Sequence, residues 1–377
     1  MLQFLYITLG ILLAVSPDNT TNAILRAIRE QNSAKPMTTI VKKKKVEPVV
    51  DPLPSEIPNN MIVFQRPKDK VEKVFRQDAF NVPVDTITFN NDRWCVFFKG
   101  EVTKIGKEAF KDCRYLKAII LPPSVTTIEE RAFCNCEDLE RVVLSDGITR
   151  IEANAFDRCT DLVHIRMGEQ LAYIGDNAFL FTKIDSVHLP STLTTIGRCA
   201  FACCNDLRSI NIPNSVTSMG DSVLAGAGSL TSIVIGDGIK SLPKFAFSGC
   251  VYLASVTLPA RLQSIGKSAF EYCGSLKTIE FPKTLTSIGG YAFAQAGLTE
   301  ALFPAGLQNI GSFAFAVNSK LVEMTFLGVT PPTMGIGCFD EIAPATISVP
   351  SQNIEAYKAE FKKSDGMPVC TVQAIEK

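Results

Sequence analysis

The chain has 377 residues, and its 38 lysines and arginines balance 38 aspartates and glutamates. This neutrality gives no overall basis for holding a polyanion and speaks against nucleic acid as a partner. Twelve cysteines would signal a disulfide framework in a short secreted domain, but in a chain this long the positions they occupy matter more than their number.

Residues 1–16 form the first segment, apolar over 2–15 apart from Gln3, Thr8 and Gly10 and closed by Pro17-Asp18. It is shorter than the roughly 20 residues of a membrane-spanning helix. Two readings stand. One is a secretory leader, although no Lys or Arg precedes its core and no small-x-small cleavage site follows. The other is a helix that buries itself or joins copies of the chain. Membrane contact is expected only through this segment. Asp18, Asn19 and Thr20 are placed to cap a short helix over residues 18–29. Prolines at 36, 48, 52, 54 and 58, with Lys42-Lys43-Lys44-Lys45, then describe an extended linker, so that residues 17–60 are helix and linker. A run of four lysines is read as solvated.

From Phe110 onward a period is visible. An Ala-Phe pair or its equivalent ends at Phe110, Phe133, Phe156, Phe179, Phe201, Leu224, Phe247, Phe270, Phe293, Phe315 and Phe339, at intervals of 22 to 24 residues. This explains why phenylalanine, at 24, outnumbers tyrosine at seven and tryptophan at one. A representative unit runs Val125-Thr-Thr-Ile128, Ala132-Phe133, Cys136, then Leu139, Val142 and Leu144, with short strands at the alternating β-branched residues. Prolines at 122, 190, 213, 259, 282 and 304 follow such strands, where a missing N–H harms no ladder. A unit of this size cannot enclose its own apolar side chains, whereas stacked units bury the same columns against one another. The expected fold is therefore a β-rich repeat solenoid of about ten to eleven coils over residues 101–350. Each phenylalanine should pack on the ring of the next coil. Both ends need caps. Residues 61–100, containing Ala79-Phe80, form the front cap, and residues 351–377 the rear one, with an amphipathic helix over 353–362 that is apolar at Ile354, Tyr357 and Phe361.

Leu253-Ala-Ser-Val256-Thr-Leu258-Pro259, continued by Leu262-Gln-Ser-Ile265-Gly266-Lys-Ser-Ala269-Phe270-Glu-Tyr-Cys273, resembles the BspA-type leucine-rich repeat of surface proteins in Bacteroidales and some mucosal protists. The resemblance covers roughly residues 100–350. The closing Ala345-Thr-Ile347-Ser-Val349-Pro350 with Tyr357-Lys358 is similar to the end of Bacteroidales members. Departures from the pattern are Leu224 for phenylalanine, then Thr182, Ala227, Ala296 and Asn318 for cysteine, and Glu129, Glu152 and Pro243 for glycine. The resemblance implies a leucine-rich-repeat solenoid and a role in adhesion to extracellular-matrix proteins or to another cell's surface.

Six cysteines, at 113, 136, 159, 204, 250 and 273, fall three residues after the phenylalanine position. Adjacent coils would bring neighbours near the Cα separation of about 4.4 to 6.8 Å that a disulfide needs. The preferred reading is a column of small, buried, reduced thiols, because alanine, threonine and asparagine replace cysteine without a paired loss elsewhere. Cys134-Asn-Cys136 and the Cys199, Cys203, Cys204 group lack the two converging ligand pairs of a structural zinc site, so no metal is expected. With two histidines and no nucleophile elbow, phosphate loop or dinucleotide fingerprint, no catalytic residue and no cofactor are expected.

What remains is a surface. Residues flanking the central Ile or Val of each strand should point away from the core. They include Arg141, His164, Arg166, His188 and Asn211, then Glu280, Glu300 and Glu323, so the face runs from a basic, histidine-bearing end through serines to an acidic end. Ala118 and Ile120 belong to the same series. The expected function is a non-enzymatic scaffold, secreted or at a cell surface, that recognises a protein or glycan through this face. The alternative is a structural component that oligomerises through its apolar N-terminus, and with it a cytoplasmic location stays open.

Overall fold

The computed structural model describes residues 57–67, 75–363 and 370–375. The leader, the short helix and nearly all of the linker lie outside them. The described chain winds as a parallel β-solenoid whose coils build three hydrogen-bonded ladders.

The first ladder carries the strands of the expected recognition face. It begins with Ala118–Ile120, Arg141–Val143 and His164–Arg166, continues with Ser209–Ile212, Ser232–Ile235 and Ser255–Thr257, and closes with Glu300–Phe303, Glu323–Phe326 and Thr346–Val349. Register is kept throughout, as in Ser209↔Ser232↔Ser255 and Glu300↔Glu323. The ladder is interrupted twice, around residues 184–188, where a single Ser186↔Ser209 bridge remains, and around 278–280. Each interruption lies beside a one-residue shortening of the link from the phenylalanine to the strand, between Phe179 and Val187 and between Phe293 and Ala301. A second ladder holds eleven two-residue strands from Lys104–Ile105 to Thr333–Met334, in runs of six and five that part between Ser218–Met219 and Ser241–Leu242.

The third ladder was not foreseen from the sequence. In each Ala-Phe turn, the residues two before and two after the ring position adopt left-handed backbone, as Glu108 (φ 57) and Asp112 (φ 61) do around Phe110. With this backbone the N–H groups of every second residue in the turn point along the solenoid axis. Glu108, Phe110 and Asp112 donate to the carbonyls of Glu130, Ala132 and Cys134 at 3.1, 2.7 and 2.8 Å, and the pattern repeats coil by coil. Asparagine or glycine takes such positions at low cost, as at Asn135, Asn154, Asn177, Gly226 and Gly249.

Beneath these ladders lies the ring column. Phe110, Phe133, Phe156, Phe179 and Phe201 stack at 5.0 to 5.3 Å with planes within 11° of parallel. Leu224 interrupts the column, which resumes from Phe247 to Phe339 at 5.1 to 5.4 Å. Offset stacking of this kind adds to the burial of each ring.

The ends are closed by different means. Met61–Gln65 pairs antiparallel with both Arg93–Phe98 and Ala118–Ile120, and Val84–Asn90 pairs outside Arg93–Phe98. Phe64 is fully buried against Phe75, Trp94 and Phe110. Arg76 N donates to Ala109 O at 2.8 Å and so satisfies a carbonyl at the open end of the turn ladder. At the far end a helix spans Ile354–Lys363 and buries Tyr357 and Phe361 against Phe326, with Tyr357 Oη donating to Gly328 O at 2.8 Å. A further strand, Thr371–Ala374, unread in the sequence, extends the first ladder parallel to Thr346–Val349.

Candidate functional site: the strand face

Strand alternation sets this face. In Ser209–Ile212 and Ser232–Ile235 the isoleucines are buried while Ser209, Asn211, Ser232 and Val234 are exposed. Arg141, His164, Arg166, His188, Asn211, Glu280, Glu300 and Glu323 are all exposed. The ladder register arranges them in two columns. Arg141 and His164 lead the first, which passes through Ser186, Ser209, Ser232 and Ser255 and ends at Glu300 and Glu323. The second holds Arg166, Asn211, Val234 and Leu302, with the last two 46% and 54% exposed. His188 and Glu280 lie in the interruptions of the ladder, on backbone without regular strand pairing.

Two features differ from the expectation. Ala118 and Ile120 are buried, at 5% and 2% exposure, so the available face begins at the coil of Arg141. Arg166 is also committed locally, its Nη2 lying 3.0 Å from Asp146 Oδ1 with both side chains largely solvated. Its charge is partly balanced within the chain. No ion pair engages Arg141, Glu280, Glu300 or Glu323 among the described residues, which leaves the polarity of the face in place.

The cysteine column does more than fill space. The thiols of Cys136, Cys159, Cys204, Cys250 and Cys273 each approach the carbonyl of the phenylalanine position one coil back, at 3.0 to 3.3 Å. They act as buried donors to main-chain acceptors. Two departures from the pattern follow from this role. Thr182 and Ala296 sit in the two shortened links, and Thr182 Oγ1 bonds Phe179 O within its own coil. Asn318 restores the link to the shortened coil before it, donating to Phe293 O at 2.7 Å and accepting from Leu298 N at 3.0 Å. Burial pushes Cys204 and Cys250 up to about 12 and Cys134 up to about 11. These groups stay protonated at neutral pH and are poor nucleophiles or metal ligands.

The residue after each ring is mostly small and buried, as at Ala202, Ala225, Ala294 and Ala316, but acids also occupy this column, among them Asp157 and Glu271. Burial raises Asp157 to about 6 against the opposing charges of Arg158 and Arg131. Glu271, 5% exposed, is raised by burial to about 7, against Ser268 and the charge of Lys267. Neither acid was singled out from the sequence, since nothing in their spacing marks a turn residue as buried.

The family model of the BspA type leucine rich repeat region matches in six copies, over residues 89–204, 173–296 and 240–367. A search among curated proteins finds no match. Among solved structures, a leucine-rich repeat protein from Bacteroides ovatus is 20% identical over 78% of this chain and 91% of its own, with a TM-score of 0.42. A leucine rich cell surface protein from Faecalibacterium prausnitzii is 24% identical over 60% of this chain and 77% of its own, with a TM-score of 0.35. The pneumococcal vaccine antigen PcpA is 20% identical over 78% of this chain and 88% of its own, with a TM-score of 0.45.

Proposed function

The chain belongs to the BspA-type leucine-rich-repeat family, and on that footing we propose that it is a non-enzymatic binding scaffold, secreted or displayed at a cell surface, whose strand face recognises a protein or glycan. The observation that carries this reading is the pair of exposed, in-register columns. The parallel ladder fixes the backbone from which these side chains project, so their spacing is preorganised for a docking partner. The thiols are engaged with carbonyls inside the core. Both histidines stand on the exposed face, and neither is hydrogen-bonded to a nucleophile among the described residues.

The charge order along the face makes recognition directional and sensitive to salt. Arg141 contributes more to it than Arg166, whose guanidinium is already held by Asp146. The test immobilises the full chain and measures capture of solubilised extracellular-matrix glycoproteins at low salt. Arg141→Glu/Arg166→Glu should lower capture by about tenfold or more, with Arg141→Glu alone giving most of the loss. Unchanged capture in that variant and in Glu280→Lys/Glu300→Lys refutes the strand face as the binding surface.

A further inference from the structure

The two columns have a symmetry that a charge inventory does not reveal. Ser232 and Val234 mark its centre. Counting coils outward, Ser209 and Ser255 are one step away on either side, His188 and Glu280 two, His164 and Glu300 three, and Arg141 and Glu323 four. Arg141 and His164 thus each have an acidic residue at the same distance and in the same column on the other side, and His188 has Glu280 at the matching coil; Arg166 alone among the basic residues has an apolar counterpart, Leu302.

We infer that the strand face is self-complementary and that its partner is a second copy of this chain, docked face to face with the solenoid axes antiparallel. The required operation is a twofold axis running along the strand direction through Ser232 and Val234. It reverses the order of the coils, turns one face onto the other and keeps each column opposite itself. Arg141 then meets Glu323 of the second copy, His164 meets Glu300 and His188 meets Glu280. Every pair occurs twice, as a closed isologous interface demands. Serine meets serine at the neighbouring coils, and the exposed Val234 meets its own copy on the axis, where an apolar residue avoids like-charge contact. Arg166 falls opposite Leu302. Its charge is held by its own Asp146, which frees the aliphatic stem to cover the exposed leucine. The other twofold arrangement, with the solenoids parallel, sets every coil against itself with the two columns exchanged, and so gathers both sets of basic coils at one end of the interface and both sets of acidic coils at the other. Like-charge contact opposes it.

This inference rests on reading the strand face as the recognition surface, and it adds the identity of the partner. It is tested by analytical ultracentrifugation of the full chain at high protein concentration, at low and at high salt. The wild type should show a monomer–dimer equilibrium that weakens with salt. Arg141→Glu and Glu323→Arg, each changing two attractive contacts to repulsive ones, should each weaken the dimer by about tenfold or more. The combined Arg141→Glu/Glu323→Arg protein, which exchanges the charges across the axis, should dimerise again. A wild type that is monomeric in both salts overturns the inference, as does association equal in all four proteins or a combined variant no better than the single ones. The underlying reading fails separately. A chain that stays monomeric while Arg141→Glu reduces capture of matrix glycoproteins loses the inference and keeps the binding face.

Discussion

Replacing Phe156 by alanine tests the ring column where it is most complete. Phe156 has no exposed surface, and its ring lies 5.0 Å from Phe133 and 5.3 Å from Phe179, with planes 3° and 4° from parallel. Alanine removes the ring from a site whose backbone is pinned by the turn ladder, Phe156 N to Ala178 O at 2.8 Å, so the space closes only in part. The expected loss is about 4 kcal/mol for lost burial and the cavity together; the two stacking contacts account for roughly 1 to 3 kcal/mol of it. Leucine should behave differently. The column already accommodates Leu224 between Phe201 and Phe247, fully buried, so Phe156→Leu keeps most of the volume, loses chiefly the two stacking contacts and should cost about 1 to 3 kcal/mol. Urea unfolding followed by far-ultraviolet circular dichroism measures both. Stability in a repeat array sums coil and interface terms, so the loss falls on two neighbouring interfaces. An alanine variant within about 1 kcal/mol of wild type, or a leucine variant as unstable as the alanine one, would refute the stacked column as a principal source of stability.

Asn318→Ala strips the bonds to Phe293 O, Phe315 O and Leu298 N at once, and should cost about 2 to 4 kcal/mol in the same assay; a loss under about 0.5 kcal/mol would remove its assigned role. Glu271 gives a pH dependence of definite sign. Its folded-state pKa, about 7, lies above the ordinary 4.5, so between those values the unfolded chain releases a proton that the folded chain retains. Stability therefore falls as pH rises from 4 to 8, by about 3 kcal/mol from this group. Glu271→Gln should flatten that slope, and an unchanged slope contradicts the burial of the acid. Because the column thiols are bonded to carbonyls, denatured protein kept without reductant should show most of its twelve cysteines as free thiols on titration. Five or six disulfides would overturn that assignment.

The stacked architecture could be read from the sequence because a single column, the Ala-Phe turn, repeats with little drift and has one physical requirement, a buried ring on a buried ring. Strand alternation likewise placed Arg141, His164 and Glu300 on the exposed side, since a strand with one buried face has its register fixed. The turn ladder was hidden because left-handed residues are announced by glycine or asparagine, whereas here Phe181, Phe245, Tyr272, Tyr291 and Phe313 adopt the same conformation. Their backbone is dictated by hydrogen bonds to the next coil, which local propensity does not report. The ion pair of Arg166 with Asp146 and the burial of Ala118 and Ile120 depend on what lies across or beside the strand. The thiol donors were missed for a related reason. Their acceptor is a carbonyl 25 or 26 residues earlier, and main-chain acceptors leave no trace in side-chain pattern.

The central claim is that the polar columns of the strand face are a recognition surface whose charge order matters. The most direct measurement is low-salt capture of matrix glycoproteins by the immobilised full chain and by its Arg141→Glu/Arg166→Glu and Glu280→Lys/Glu300→Lys variants, all checked for native circular dichroism. The account predicts a loss of about tenfold or more in at least one variant, diminishing as salt is raised. Capture by wild type that both variants reproduce at every salt concentration would contradict it.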